Sequence, residues 1–564
     1  MKKKVLIYCL LLSACLISGF SGYVDNDNDL RTLIDERGQA YVVVPRDILS
    51  TQPQLTELFS ISNVDEDVIE LCVTPFNVDR FIGMNLPYKI LYPSDTKSAL
   101  MATSLSEALQ WQSYPTYEQY DSIMHYFADR YPALCRVDTI GTSVNGKLIF
   151  ALKISDDVSI DDDEAEVFYS STIHGDELAG YVLMMRLSDY LLSNYSQNDR
   201  VRNLVDNLQI YIAPLTNPDG VYGNGNVIST PTRSNANGYD LNRNFPDIID
   251  ETTPQMQPET ESMITYMQKH KFVISANFHS GVEVVNYPWD RISRRHADDL
   301  WFYEISRAYV DTVHYYSPSN YMTYMNNGVT NGYQWYMTSG SRQDYITFFL
   351  QGREVTIELD NTKQTDASML DALWTWNRSS FIGYLENALF GLKGVVTDSK
   401  SHSPINAKIT VVDYDDDYSF VYSDDKGIFR RMLPLGSYTL KVSAEGYYDK
   451  NVEVSISDRS LTELFIELDE IEQNDDDLQV KIFPNPVKED ENIIVEFSRH
   501  ISTPLVFSIY NVLGAKLRTL RINADGISSF RLDTNYLRAG MYILSIQSDD
   551  NKVLLIKRFV IIEK

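Results

Sequence analysis

The sequence predicts an α/β protein: a mixed, largely parallel sheet flanked by helices, preceded by a small α+β module and followed by two β-sandwich domains. Between residue 114 and about residue 390, short apolar runs alternate with long helical segments, which is how strands joined by crossover helices read in sequence. Beyond residue 390 the helical segments cease, and short strands punctuated by Gly, Pro and Asp take over. The chain has 564 residues. At roughly 150 residues per domain, that length asks for three or four folding units rather than one.

The first residues read as an address. Lys2, Lys3 and Lys4 precede an apolar run over residues 5–17, and the small residues Ser18, Gly19, Ser21 and Gly22 follow it, the layout of a secretory signal covering residues 1–22. The run is short for a membrane span, and no other segment approaches about 18 uninterrupted apolar residues, so a mature protein without a transmembrane anchor is expected. Leu12-Ser13-Ala14-Cys15 also resembles a lipoprotein cleavage box, but the apolar run continues past it and favours cleavage near Gly22. Losing residues 1–22 removes three lysines and no acid, taking the net charge from −29 to −32. A phosphate backbone is repelled by such a chain, which argues against nucleic-acid partners. With 44% hydrophobic residues the chain can bury ordinary cores. Outside the signal only Cys72 and Cys135 remain, and an oxidising compartment permits a bridge whose distance the sequence does not give.

Residues 23–105 read as the α+β module and a possible prodomain, with strands at 40–44 and 68–73, helices at 54–59 and 77–84, and a polar connection over 94–104. Residues 106–390 hold the α/β segment. Residues 391–468 read as a sandwich with strands at 394–397, 407–412, 427–432, 438–443 and 452–456. An acidic linker at 469–479 leads to a second β-rich unit at 480–564.

Chemistry converges in the α/β segment. Residues 166–173 read as a buried strand running into His174-Gly175-Asp176-Glu177 at the start of an amphipathic helix. His174 and Glu177, about one helical turn apart, can there reach one cation. That spacing alone is common, and the alternative is a helix-capping Asp176 beside a surface Glu177. Two further strands sharpen it, one ending at His279 and one at Glu358. Ligands of open parallel sheets gather beyond the carboxyl ends of strands, so groups stationed there by three strands converge. A His-Glu-His set leaves one zinc position for water, as in hydrolytic sites, with Glu358 as the general base. Taken singly, His279 also reads as a core histidine and Glu358 as a partner of Arg353.

Residues 114–390 resemble the zinc metallocarboxypeptidases, in particular the regulatory subfamily related to carboxypeptidases N, E and D. The motifs are His174-Gly175-Asp176-Glu177, Asn217-Pro218-Asp219-Gly220, the run from Arg233 through Asp240-Leu241-Asn242-Arg243-Asn244-Phe245-Pro246, His279, and Thr356-Ile357-Glu358-Leu359. The resemblance implies one Zn2+ per catalytic domain, held by His174, Glu177 and His279, with Asp240 orienting His174. It implies that Asn242 and Arg243 clamp the terminal carboxylate of a substrate, that Arg233 stabilises the oxyanion, and that Glu358 is the base. Tyr336, eight residues before Asp344, takes the place of the family's mobile tyrosine. Asp290, eleven residues after His279, matches the acid used for C-terminal Lys or Arg, and Gln343 lines the same pocket. The alternative for Asp290 is the cap of a helix beginning near Arg291.

Residues 391–468 resemble the transthyretin-like domain of the same subfamily, through Gly394-Val395-Val396-Thr397-Asp398, Asp425-Lys426-Gly427 and Leu435-Gly436-Ser437-Tyr438, with packing against the catalytic domain as the implied role. The last unit, with Phe483-Pro484-Asn485-Pro486 and Leu537-Arg538-Ala539-Gly540-Met541-Tyr542, resembles the sorting domain of type IX secretion substrates, and another adhesive sandwich is the alternative. The expectation is a secreted or cell-surface zinc carboxypeptidase. It removes C-terminal residues, Lys or Arg, from peptides or proteins, and meets the secretion machinery through its last domain. A peptidoglycan stem-peptide carboxypeptidase and a non-catalytic peptide-binding surface protein are the competing readings.

Overall fold

The computed structural model describes residues 26–563 except 53–54, 93–98, 161–162, 250–254, 417–418, 472–478, 502–503, 524–525 and 549–552. The expected signal, Gln54, residues 94–98 of the connection and most of the acidic linker lie outside the described residues. The chain divides into two compact units, one ending at Asp469 and one beginning at Glu470.

The first unit opens with a helix at Asp27–Arg37, which the sequence reading had not marked. It is capped by Asn26, whose side chain accepts from the Asn28 N–H, and it stops at Gly38 in the left-handed conformation. Strands β1 (Ala40–Pro45), β2 (Ser60–Val64), β3 (Val68–Val73) and β4 (Lys89–Leu91) form an antiparallel sheet in the order β2-β3-β1-β4. Val42, Val44, Ile69, Leu71 and Phe81 fill a core that belongs to this module alone. The expected helices shorten to Leu55–Leu58 and Val78–Gly83.

An eight-stranded mixed sheet follows, in the order β11-β10-β12-β9-β7-β8-β6-β5. Its strands are β5 (Cys135–Thr142), β6 (Leu148–Ile154), β7 (Ala165–Ser171), β8 (Leu208–Ala213), β9 (Phe272–His279), β10 (Glu283–Tyr287), β11 (Val329–Asn331) and β12 (Arg353–Leu359). The central strands β12, β9, β7 and β8 are mutually parallel. Covered on both faces, they read as continuous apolar runs, and every residue of β8 is buried. Helices Tyr117–Arg130, Ala179–Asn194, Asp299–Tyr316 and Leu370–Glu386 cover one face, and Pro258–Gln268 and Arg342–Phe349 cover the other. The first of these starts with a reciprocal Thr116/Gln119 capping box. Cys72 and Cys135 are both buried and free.

Strands β13 (Gly391–Asp398), β16 (Ile428–Arg431) and β19 (Leu461–Leu468) pack against β14 (Lys408–Val411), β15 (Val421–Tyr422), β17 (Gly436–Ser443) and β18 (Lys450–Ile456). Leu392, Val396, Ile409, Val411 and Leu440 lie between the two sheets. Arg431 of this sandwich reaches Asp298 of the α/β segment, and Arg353 of β12 donates to the Ser419 carbonyl. The second unit has a three-stranded and a five-stranded sheet over a core that includes Val495, Phe507, Leu544 and Phe559.

Candidate active site

The site begins where β7 stops. Thr172 takes a positive φ of 60° and ends the strand. His174–Glu177 then run through a turn, because the following helix begins only at Ala179. The helical spacing expected for His174 and Glu177 is therefore corrected: a tight turn brings them together. Gly175 makes that turn possible, since a Cβ there would stand 2.2 Å from the carbonyl carbon of Gly220 in the Asn217-Pro218-Asp219-Gly220 motif. Asp176 and Glu177 are 1% and 4% exposed, so the reading of a cap beside a surface acid falls.

Parallel pairing does the rest. β9 lies between β7 and β12, and His279, its last residue, stands in register with Glu358 of β12. The carboxyl ends of three strands thus meet at one place.

His174 Nδ1 lies 2.9 Å from one Glu177 carboxylate oxygen, His279 Nδ1 2.8 Å from the other, and the two Nδ1 atoms are 3.1 Å apart. The outward nitrogens are occupied, His174 Nε2 by Asp240 at 2.9 Å and His279 Nε2 by the Asn277 side chain at 2.7 Å. Two imidazole nitrogens turned toward each other and toward a carboxylate suit a cation between them, and outer partners that fix both rings are what metal-binding histidines carry. All three ligand groups come within 4.8 Å of one another. The donor set fits zinc.

Electrostatics agree. Burial pushes the His279 imidazole down to about 4, which leaves it neutral and able to donate a lone pair. At His174, burial and the Arg233 charge act downward, but the carboxylates of Glu177 and Asp240 outweigh them and raise it. Burial opposes ionisation of Glu177, yet the two histidines hold its carboxyl well below the usual range. Glu358 goes the other way: burial, reinforced by the charge of Glu177, raises it well above an ordinary glutamate.

Around this cluster stand the cations. Arg233 donates to Glu177 at 3.0 Å and to Asp240 at 3.0 Å. Asp240 also caps the short Leu241–Arg243 turn by accepting from the Asn242 N–H, which ties the arginine-bearing turn to His174. The Asn242 side chain accepts from the Arg342 N–H at 3.0 Å, and Arg243 donates to the Asn242 carbonyl at 2.9 Å. Arg233, Asn242, Arg243, Asp290, Tyr336 and Glu358 line one cavity with the His-Glu-His set.

Asp290 is buried and also lines that cavity. It accepts from Gln343 at 3.0 Å and Asn286 at 3.4 Å, and burial raises its carboxyl. The next helix starts at Asp299, which removes the capping reading. Glu358 is no partner of Arg353, whose guanidinium goes to Asp298 at 2.7 Å. Tyr336 packs against the core of the N-terminal module.

Sequence reasoning missed Asn277, Asn286, Gly332 and Lys363. Asn277 had a usable signal, since it precedes His279 by two positions and so shares its face of the strand. Lys363 had none, because the carboxylate its ammonium binds, Glu70, lies in the N-terminal module.

Similarity to known proteins agrees with this geometry. The zinc carboxypeptidase family profile matches residues 120–380, a carboxypeptidase regulatory-like domain matches 391–469, and a secretion system C-terminal sorting domain matches 481–562. Carboxypeptidase D of Anas platyrhynchos is 30% identical over 79% of this chain and 34% of its own length, so the chain spans about a third of that relative. The carboxypeptidase N catalytic chain of Homo sapiens is 34% identical over 58% of this chain and 79% of its own length. The crystal structure of carboxypeptidase A from Helicoverpa armigera shares the fold, at 18% identity and a TM-score of 0.50 over 62% of this chain and 98% of its own. The chain belongs to the zinc carboxypeptidase family.

Proposed function

We propose that this protein is an exported zinc carboxypeptidase that removes C-terminal Lys or Arg from peptides. The observation that carries the reading is the His174, Glu177 and His279 cluster, which shares one cavity with the raised carboxyl of Glu358, the guanidiniums of Arg233 and Arg243, and the buried carboxyl of Asp290.

His174, Glu177 and His279 would hold the ion, which when bound supplies Lewis acidity toward a water and a carbonyl oxygen. Glu358, buried and raised, is suited to take a proton from water and hand it to the leaving amine. Arg243 and Asn242 grip a terminal carboxylate, and Arg233 stabilises negative charge gathering on the scissile carbonyl oxygen. Asp290 selects a cationic last side chain, because a buried carboxylate left unpaired by an apolar residue penalises that substrate. That same acid disfavours a peptidoglycan stem peptide. The sorting domain at residues 481–562 supports export to the cell surface or beyond.

The test is hydrolysis, at saturating concentration, of one peptide ending in a free arginine and of its amide. Release of arginine from the acid, abolished by a chelator and by Glu358→Gln, is expected. Cleavage of the amide at a similar rate would reject the exopeptidase reading.

A further inference from the structure

We infer that Arg342 is a positioning residue of the reaction, fixing the side chain that receives the substrate's terminal carboxylate, an inference that rests on the carboxypeptidase reading. Its backbone N–H donates to the Asn242 side-chain oxygen at 3.0 Å. A backbone N–H can only donate, so this contact decides which end of the Asn242 amide is the oxygen. The amide nitrogen is left over, without a partner among the described residues, on a side chain that lines the cavity. A carboxylate needs donors and is repelled by a facing oxygen, so this orientation is the one a clamp requires.

Arg342 holds that N–H in place from beneath. It opens the helix Arg342–Phe349, directly after Ser341, whose hydroxyl caps the helix by accepting from the Asp344 N–H at 3.3 Å. The first N–H groups of a helix have no partner inside it, which frees this one for Asn242. The guanidinium runs back to the sheet, where Nη2 donates to Glu354 of β12 at 2.7 Å and Nη1 donates to the Ser170 hydroxyl of β7. Ser275 of β9 donates to the same Glu354 oxygen at 2.8 Å. Three central strands thus brace the first turn of the helix. That turn also carries Gln343, which donates to Asp290, and Asp344, which accepts from the Asp290 N–H. The carboxylate clamp and the pocket for the last side chain therefore hang on one support.

Stability alone does not account for this ion pair. Arg342 and Glu354 are both fully buried. Burial raises the Glu354 carboxyl and lowers the Arg342 guanidinium, so each resists its own charge. Such a pair repays its desolvation only when the remaining donors and acceptors are satisfied. Here Arg342 Nε and the second Glu354 oxygen have no hydrogen-bond partner among the described residues. An apolar side chain of similar length would pack without that cost. It could not reach two strands with directed hydrogen bonds, which a planar guanidinium does.

The experiment compares the full chain with its Arg342→Met/Glu354→Gln double variant, which removes the brace without leaving a lone buried charge. Two probes are titrated by calorimetry into the zinc-loaded proteins: N-acetylarginine, which brings a carboxylate, and acetohydroxamate, which binds the metal and has none. N-acetylarginine should bind the variant at least about tenfold more weakly, and acetohydroxamate should bind both proteins within about twofold. On a peptide ending in arginine, KM should rise by the same factor at unchanged kcat. Equal N-acetylarginine affinity in the two proteins would overturn the proposal, as would equal weakening toward both probes, which marks a general loosening. Arg342→Lys covers the case in which the double variant does not fold, since lysine keeps the charge opposite Glu354 but lacks the fork that spans two strands. Weaker N-acetylarginine binding by at least about threefold is expected there, and unchanged binding overturns the proposal. Hydrolysis by wild type with no change of N-acetylarginine affinity in the variant leaves the carboxypeptidase standing and removes the role of Arg342. Weaker N-acetylarginine binding by the variant, with no hydrolysis by wild type, does the reverse.

Discussion

Arg431 and Asp298 meet through two hydrogen bonds, at 2.7 and 2.8 Å, although 133 residues separate them. Both side chains are fully buried, and each has a second partner, Arg353 for Asp298 and Asp415 for Arg431. This four-charge chain fastens the sandwich that follows the catalytic segment to the α/β sheet. Asp298→Ala would take from Arg353 its carboxylate partner and leave Arg431 with Asp415 alone, whereas Arg431→Ala leaves Asp298 still held by Arg353. The aspartate variant is expected to lose about 3–5 kcal/mol, and the arginine variant less. Urea unfolding of the three proteins side by side checks that order.

Beside this chain of charges lies His296, buried against Trp289 and accepting from the Asp298 N–H at 2.9 Å. Burial first, then the charges of Arg353 and Arg431, push its imidazole down to about 3 against the pull of Asp298. The unfolded chain therefore binds a proton between about pH 6.5 and 3 that the folded chain refuses. The contribution of neutral His296 is complete above pH 6.5 and is lost as pH falls toward 3, at about 1.4 kcal/mol per unit within that window. The drop in stability from pH 7 to pH 5 should be smaller in His296→Gln than in wild type, and equal drops would contradict this account.

Gly175 is predicted to be indispensable for reasons of space. A methyl group there meets the Gly220 backbone, which has no flexible end to move aside, so Gly175→Ala must shift His174 and Glu177. Displacement of this order costs about a hundredfold or more in activity. Zinc content measured on the purified variant should fall with it.

In the proposed function, specificity rests on Asp290. Gly332 leaves the space in front of it, since a Cβ there would stand 1.8 Å from the carboxylate oxygen. Asp290→Ala should lower kcat/KM for arginine-ended peptides by about a hundredfold or more while sparing those that end in Phe. A retained arginine preference would place the selecting acid elsewhere.

The convergence of His174, Glu177, His279 and Glu358 was legible because each sits where an apolar strand gives out, and parallel pairing turns such ends into neighbours. The conformation of His174–Glu177 was not, since a turn and the first turn of a helix share the same three-residue spacing. Packing of Gly175 on Gly220 decides between them, and that contact crosses two motifs. The contact of Ser60 and Ile61 with Arg233 and Arg243 was illegible for a different reason. Ile61 acts through its backbone carbonyl, which carries no residue code, and its partner Arg243 lies 182 positions away. Lys363 and Glu70, 293 positions apart, left no pattern either.

X-ray absorption at the zinc edge of the purified full chain tests the metal site itself. One zinc per chain is expected, with two imidazole nitrogens at about 2.0–2.1 Å and carboxylate oxygen completing the protein ligands. The metal should be lost from His279→Ala. A wild-type chain that holds no zinc, or holds it through sulfur, would contradict the account.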